Sequence, residues 1–269
     1  MTDVHEPDQQ PVVVTTDEGV ATVRFNRPQA MNALDRATKE ALLAALRRVA
    51  AEEEVRCVVL TGTGRAFCVG QDLKEHVSLL EKDPQFLWTT VRDHYNPVAE
   101  LIATMDKPVL AALNGVAAGA GVAFALAADV RIMSEAAGMN TAFAGIALSC
   151  DSGSSWHLPR LVGPARAKEL LLRPRTLRAQ ECLDLGLVTE VVPPEQLEER
   201  VTEVARELAA GPTRAYGAIR RAVAYSLGHP LHESLVHEAG LMRDTGASED
   251  HGIAVAAFLA KEQPVFRGR

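Results

Sequence analysis

No pair of cysteines in this chain has the spacing of a metal or redox motif. The four, Cys57, Cys68, Cys150 and Cys182, stand far apart with no CxxC among them. A structural zinc is therefore not expected, and reduced thiols in a cytoplasmic protein are the default reading. A long basic run is also missing. With a net charge of −7 the chain offers no electrostatic footprint for a nucleic acid, so an anionic ligand must meet a local cluster of positive charge. The opening stretch, MTDVHEPDQQ, has neither the apolar core of a signal peptide nor the arginines of a transit peptide. Residues 1–10 are expected to be disordered. Internal repeats and low-complexity tracts are absent too. What is left is an ordinary globular composition, 47% hydrophobic and 23% charged, long enough for one large domain or a domain with a small appendage.

The most informative absence is local. Between Lys107 and Asp129 the run PVLAALNGVAAGAGVAFALAA, Pro108 to Ala128, contains no charge. About 20 apolar residues suffice to span a bilayer, but Pro108, Asn114, Gly115, Gly119 and Gly121 interrupt this run. The better reading is a buried strand at Val109 to Leu113, a turn at Asn114-Gly115 and a buried helix opening near Gly119. No membrane span is expected. The first N–H groups of a helix lack intrahelical acceptors and sit at the positive end of its dipole. Small residues at 119 to 121 let a carbonyl approach those donors closely.

Around this unit the pattern alternates. Val12 to Thr15 and Val20 to Asn26 read as strands, Asp35 caps a helix running to about Ala51, and Val55 to Thr61 reads as a buried strand. A helix follows near Gln71, one or two more lie between Pro84 and Met105, and Asp129 to Ser134 is another strand. These features predict a layered α/β core over residues 11–193. From Ser154 onward helical patterns dominate, broken only by an apolar strand at Leu187 to Val192. Residues 194–269 are expected to form a helical region packed on the core or on other subunits.

A second stretch matters beside the first. Thr61 to Glu75, TGTGRAFCVGQDLKE, also runs from a strand through glycines into a helix. It lacks the spacing of a P-loop or dinucleotide fingerprint. Two such openings can each supply one N–H to a single carbonyl oxygen, as a thioester needs when its α-proton is removed.

With NRPQAMNAL (Asn26 to Leu34), RAFCVGQDLKE (Arg65 to Glu75), NGVAAGAG (Asn114 to Gly121), LPRLVGPARA (Leu158 to Ala167) and FLAKEQPVF (Phe258 to Phe266) in this order, the chain resembles the crotonase, or enoyl-CoA hydratase/isomerase, superfamily from about residue 11 to its end. The resemblance implies a spiral of ββα units, a C-terminal helical trimerisation region, trimers or hexamers, and an acyl-CoA substrate with no cofactor beyond the CoA it carries. By position it makes the backbone N–H groups of Gln71 and Ala120 the oxyanion donors, where side-chain identity is expected to matter little. Ala66, Cys68 and Lys74 match positions lining the CoA adenine and phosphates. Phe258 and Lys261 match a pair that reaches a neighbouring subunit's CoA.

Departures from the family decide the chemistry. Where hydratases carry two glutamates this chain has Ala123 and Phe143, and neither side chain can hold or deprotonate water. Asp151, in SCDSGSSWHLPR, matches the aspartate of several relatives: ring-opening and dienoyl-CoA isomerases and an aryl-CoA dehalogenase. An N-cap is the competing reading of the same residue. Walls from Phe143, Ile146, Leu148 and Trp156 would raise its pKa toward that of a useful base. Double-bond isomerisation through Asp151 is favoured. Hydration through another carboxylate, with Glu75 the one to test, stays open, as do nucleophilic attack by Asp151 and a non-catalytic acyl-CoA-binding role. His229, His232, Glu233 and His237 match no zinc signature. Ser152, Ser154 and Ser155 near His157 lack a nucleophile elbow.

Overall fold

Val12–Asp17 (β1) and Val20–Phe25 (β2) form a hairpin around Glu18 and Gly19, both at positive φ. The computed structural model describes residues 10–269. Positions 1–9, and with them nearly all of the segment expected to be disordered, lie outside the described residues. Beyond the hairpin the first sheet is parallel: Cys57–Gly62 (β3), Val109–Leu113 (β5), Val130–Ser134 (β7) and Glu190–Val192 (β10) follow β2 in that spatial order. A second sheet holds Ala66–Cys68 (β4), Val116–Ala118 (β6) and Gly138–Asn140 (β8) in parallel, with Leu177–Arg178 (β9) antiparallel at its edge. From β3 to β8 consecutive strands thus enter alternate sheets, and β3–β4, β5–β6 and β7–β8 each lead into helix, which gives the expected spiral of ββα units. The repeat lies in strand order and turns, which is why the side-chain sequence shows none.

Helix α1 (Arg36–Ala51) follows the hairpin. Its cap is Asp35, whose carboxylate accepts from Thr38 N at 2.9 Å, and Leu42, Leu46 and Val49 form its buried stripe. After β4 come α2 (Leu73–Lys82), α3 (Pro84–Thr90), a π-helical turn at Val91–Tyr95 and α4 (Asn96–Thr104). After β6 comes α5 (Ala120–Ala127), with all its residues buried. An apolar helix enclosed on every side needs no charge, and that accounts for the uncharged run. No helix among the described residues is long and apolar enough to cross a membrane. The remainder is helical apart from β9 and β10: α6 (Ser154–Val162), α7 (Pro164–Leu172), α8 (Ala179–Asp184), α9 (Leu197–Ala210), α10 (Thr213–Ser226), α11 (Leu231–Gly246) and α12 (Glu249–Ala260).

Two-residue periodicity sorts the first sheet between two cores. Cys57 and Val59 of β3, with Leu110, Ala112 and Ile132, pack on Val201, Ala205 and Ala209 of α9. Val58 and Leu60 face the larger core, which holds Leu42 and Leu46 of α1, Ile102 of α4 and Phe124 of α5. The layered α/β reading is the architecture found. One local expectation changes: β6 stands between the Asn114-Gly115 turn and the central helix.

Candidate active site

Strands β4 and β6 are parallel neighbours, with Ala66 beside Val116 and Cys68 beside Ala117. The helices that follow them therefore open side by side. Backbone packs on backbone at the two turns. A methyl group on Gly70 would lie 3.0 Å from the Ala118 carbonyl oxygen and 3.3 Å from Ala120 N. One on Gly121 would lie 2.1 Å from the Cys68 carbonyl oxygen. Gly70 also sits at φ +80°, in the left-handed region that glycine adopts freely.

This packing aims two amides. Leu34 bridges to residue 71 by donating to the Gly70 oxygen at 2.8 Å and accepting from Asp72 N at 3.1 Å. Alternation along extended chain turns the N–H of Gln71 to the other side. Gly119 N donates to the Asn140 oxygen at 3.0 Å, on the β8 side of β6, and Ala120 is the first residue of α5. Among the described residues neither the N–H of Gln71 nor that of Ala120 meets a protein acceptor. Side chains from the matched motifs brace these turns. Asn32 Nδ2 donates to the oxygens of Ala66 at 2.8 Å and Phe67 at 3.2 Å. Asn114 Nδ2 reaches the same Ala66 oxygen at 3.1 Å, and Arg27 pairs with both Asp35 and Asp72.

Asp151 ends a segment of uncommon backbone, with Ala142, Ala147 and Ser152 at φ 60°, 58° and 54°. Non-glycine residues held there cluster at functional sites. Asp151 is not a helix cap. Gly153 occupies that position at φ 84° with no side-chain cap bond, and only the backbone oxygen of Asp151 accepts from Ser154 N, at 2.9 Å. Among the described residues its carboxylate accepts one hydrogen bond, from Ser152 Oγ at 2.7 Å. Burial pushes its pKa above the ordinary carboxylate value, partly offset by Ser152. The Tyr95 phenol is likewise pushed up, first by burial and then by the Asp151 charge. Ala123 and Phe143 are buried, so no carboxylate occupies the hydratase positions.

Glu75, the alternative base, is engaged on both oxygens. Oε1 takes Lys39 Nζ at 2.8 Å and Gln71 Nε2 at 3.2 Å, while Oε2 takes Arg36 N at 2.6 Å. Lys39, only 3% exposed, also bonds to Thr90 Oγ1 at 3.0 Å and Gln71 Oε1 at 3.3 Å, and the Tyr95 hydroxyl donates to that same Gln71 oxygen. Sequence reasoning assigned nothing to Lys39 or Tyr95. The Gln71 side chain, expected to matter little beside its N–H, has four partners, since its Nε2 also donates to the Asp72 oxygen at 3.4 Å.

Other expected positions fall differently. Ala66 and Cys68 are fully buried and cannot line a CoA site with their side chains. Strand β4 is covered on one side by Phe25, whose ring meets Phe67 edge-on at 5.5 Å, and on the other by Gly121 against Cys68. Burial pushes the Cys68 thiol up to about 12. Lys74 is exposed in the first turn of α2 and makes no ion pair among the described residues. Phe143 is buried in a short 3-10 turn, whereas Ile146 is 54% exposed. Trp156, expected as a wall beside Asp151, is 45% exposed. It stacks on the Arg160 guanidinium, 3.2 Å from the ring centroid, because the two are one helical turn apart on the outer face of α6. There it lines a groove with Arg131, Tyr216 and Leu227. Phe258 is 83% exposed and Lys261 caps α12 in the left-handed region. His229 and His237 stack on Tyr225, and no group of three His, Cys, Asp or Glu among the described residues could hold a metal.

Comparison with known proteins agrees with this geometry. The model of the enoyl-CoA hydratase/isomerase family matches residues 15–269. A Rhodobacter capsulatus protein designated a probable enoyl-CoA hydratase is 43% identical over 252 residues, covering 94% of this chain and 96% of that protein. The 1,2-epoxyphenylacetyl-CoA isomerase of Escherichia coli is 37% identical over 254 residues, 94% of this chain and 97% of its own length. A crystal structure of an enoyl-CoA hydratase from Bacillus anthracis matches with a TM-score of 0.90 at 32% identity, covering 97% of this chain and 100% of that one. With paired strand-to-helix turns in one fold and similarity over nearly its whole length, the chain belongs to the enoyl-CoA hydratase/isomerase family of the crotonase superfamily, enzymes that act on acyl-CoA thioesters.

Proposed function

We propose that this protein shifts a double bond within an enoyl-CoA thioester, with Asp151 as the single acid–base and the amides of Gln71 and Ala120 as the oxyanion donors. The Asp151 carboxylate takes a proton from one carbon of the acyl chain. The C–H electron pair passes into the conjugated system, whose negative charge comes to rest on the thioester oxygen between the two N–H groups. The carboxylic acid then returns the proton two carbons away, so that no water is added and no group leaves. Lys74 and, from a neighbouring subunit, Phe258 and Lys261 are assigned to the CoA portion. The assembly is a trimer or a pair of trimers.

The observation that carries this reading is the state of the carboxylates. Asp151 is buried enough for its pKa to rise and, among the described residues, is neither a cap nor ion-paired, while Glu75 is tied on both oxygens by Lys39, Gln71 and Arg36 N. A base must have a lone pair free to meet its proton. The test is exchange in deuterium oxide. Wild-type protein should wash deuterium into the α and γ carbons of a bound enoyl-CoA, and Asp151→Asn should not. Unchanged exchange in the variant, or brisk hydration of crotonyl-CoA that Glu75→Gln abolishes, would transfer the reaction to the hydratase reading.

A further inference from the structure

An oxyanion donor at position 71 needs only the main chain, yet the Gln71 side chain is the meeting point of three separate segments. Its amide oxygen accepts from Tyr95 and from Lys39 of α1, and its amide nitrogen donates to Glu75 of α2. Lys39 is the costly member. A buried ammonium group loses its hydration and needs close partners to offset that cost. All three of its donors are used, on Gln71, Glu75 and Thr90. Its charge also faces the Tyr95 ring, with Nζ 5.8 Å from the centroid. Tyr95 closes the π-helical turn, an irregularity that recurs at functional sites, and its ring packs edge-on against Phe124 of α5 at 6.1 Å. The cluster therefore touches the helices on both sides of the two amides.

We propose that Lys39, Tyr95 and the Gln71 side chain are positioning residues for the thioester-binding amide, clamping residue 71 so that its N–H stays aimed at the thioester oxygen as charge builds there. This rests on the reading of the Gln71 N–H as an oxyanion donor. The side chain and the N–H share one Cα, so fixing the amide group at three points restricts rotation of the peptide plane that carries the donor. The remaining restraints on this turn, the Leu34 bridge and the Arg27–Asp72 pair, act on the residues flanking 71 and leave the Gln71 side chain itself unheld. Misplacement of a catalytic group by about 1 Å can cost on the order of a hundredfold in rate.

A chromophoric ligand reads the donors directly. The absorbance of 4-dimethylaminocinnamoyl-CoA moves to longer wavelength when hydrogen bonds draw electron density onto its carbonyl oxygen. Tyr95→Phe removes one oxygen and keeps the ring on Phe124, and Gln71→Met keeps the side-chain length and the N–H. Both variants should fold, with near-ultraviolet circular dichroism like that of the wild type, and bind the ligand. Each should show less than half of the wild-type red shift, with isomerase kcat about tenfold lower and KM changed less than about twofold. Folded variants with the full red shift and wild-type kcat would overturn the clamp and leave the oxyanion reading standing. A wild-type protein that gives no red shift at all would overturn both.

Discussion

In the proposed reaction Asp151 pairs a functional advantage with a structural cost. Its pKa is raised in the folded protein by burial, so the folded state holds this proton to higher pH than the unfolded chain does. That contribution to stability is complete below the unfolded pKa and is lost as pH rises through the folded one. At neutral pH the ionised group is a burden, and Asp151→Asn should melt at a higher temperature while losing about 10²- to 10⁴-fold in turnover. Calorimetry and an isomerase assay on the same samples check both signs. The same shift sets a pH limit. If the ionised carboxylate is the base, the acid limb of kcat/KM should lie above the value of about 3.9 for a free aspartate. His157 behaves in the opposite sense. Burial, and then Arg131 and Arg160, lower its pKa to about 4, well below the ordinary histidine value. The unfolded chain takes up this proton first on acidification, so stability falls as pH drops through that window. His157→Gln should flatten the decline of melting temperature with pH between about 6.5 and 4, where the wild type loses ground.

Among the elements, the contact between β4 and α5 is the one on which the site geometry depends. A methyl group at Gly121 would stand 2.1 Å from the Cys68 carbonyl oxygen, which is main chain and cannot swing aside. Gly121→Ala should destabilise the protein by about 1–3 kcal/mol or more and reduce activity, by moving the N-terminus of α5 away from β4. Gly145→Ala, with nothing within 4 Å of the new methyl group, is the control and should change neither melting nor expression appreciably. Much of this element could be read in advance. Glycines in the uncharged run announced the buried strand and helix, and Asp35 followed by the Leu42, Leu46 and Val49 stripe announced α1. The second sheet could not be, because strands of three residues such as β4, β6 and β8 are too short to show a period. Lys39 was invisible for another reason. In TKEALLAALRR it looks like solvated charge, and its partners Gln71, Glu75 and Thr90 all lie more than 30 positions away, Glu75 at 36. Asp151 was legible through resemblance alone, since its local sequence suited a cap that the backbone at Gly153 does not form.

For the whole molecule, the C-terminal helices pose a problem that one chain does not solve. Leu231, Leu235, Val236 and Met242 of α11, with Val255, Phe258 and Leu259 of α12, are all exposed. Each such side chain is worth about 1.5–3 kcal/mol when fully buried, and apolar surface of this extent on soluble proteins marks a contact. The proposed trimer covers that face with other copies of the chain. Light scattering should then report a multiple of three times the 28.9 kDa chain, and Leu235→Glu combined with Leu259→Glu should shift the mass downward by placing charges where the copies meet. Activity should follow assembly only in part. Nothing in the β4–α2 and β6–α5 turns or at Asp151 comes from the C-terminal helices, so the dissociated chain should retain the proton-transfer residues proposed above. On the proposed assignment it would lose Lys261 from a neighbour, one cation for the CoA. Lys261→Glu in the assembled protein isolates that contribution. It should raise KM for acyl-CoA severalfold, leave kcat close to wild type, and become weaker with added salt as screening shortens the reach of the charge. An unchanged KM in a variant that remains assembled would return Lys261 to the solvated surface, where its exposure in the single chain already places it.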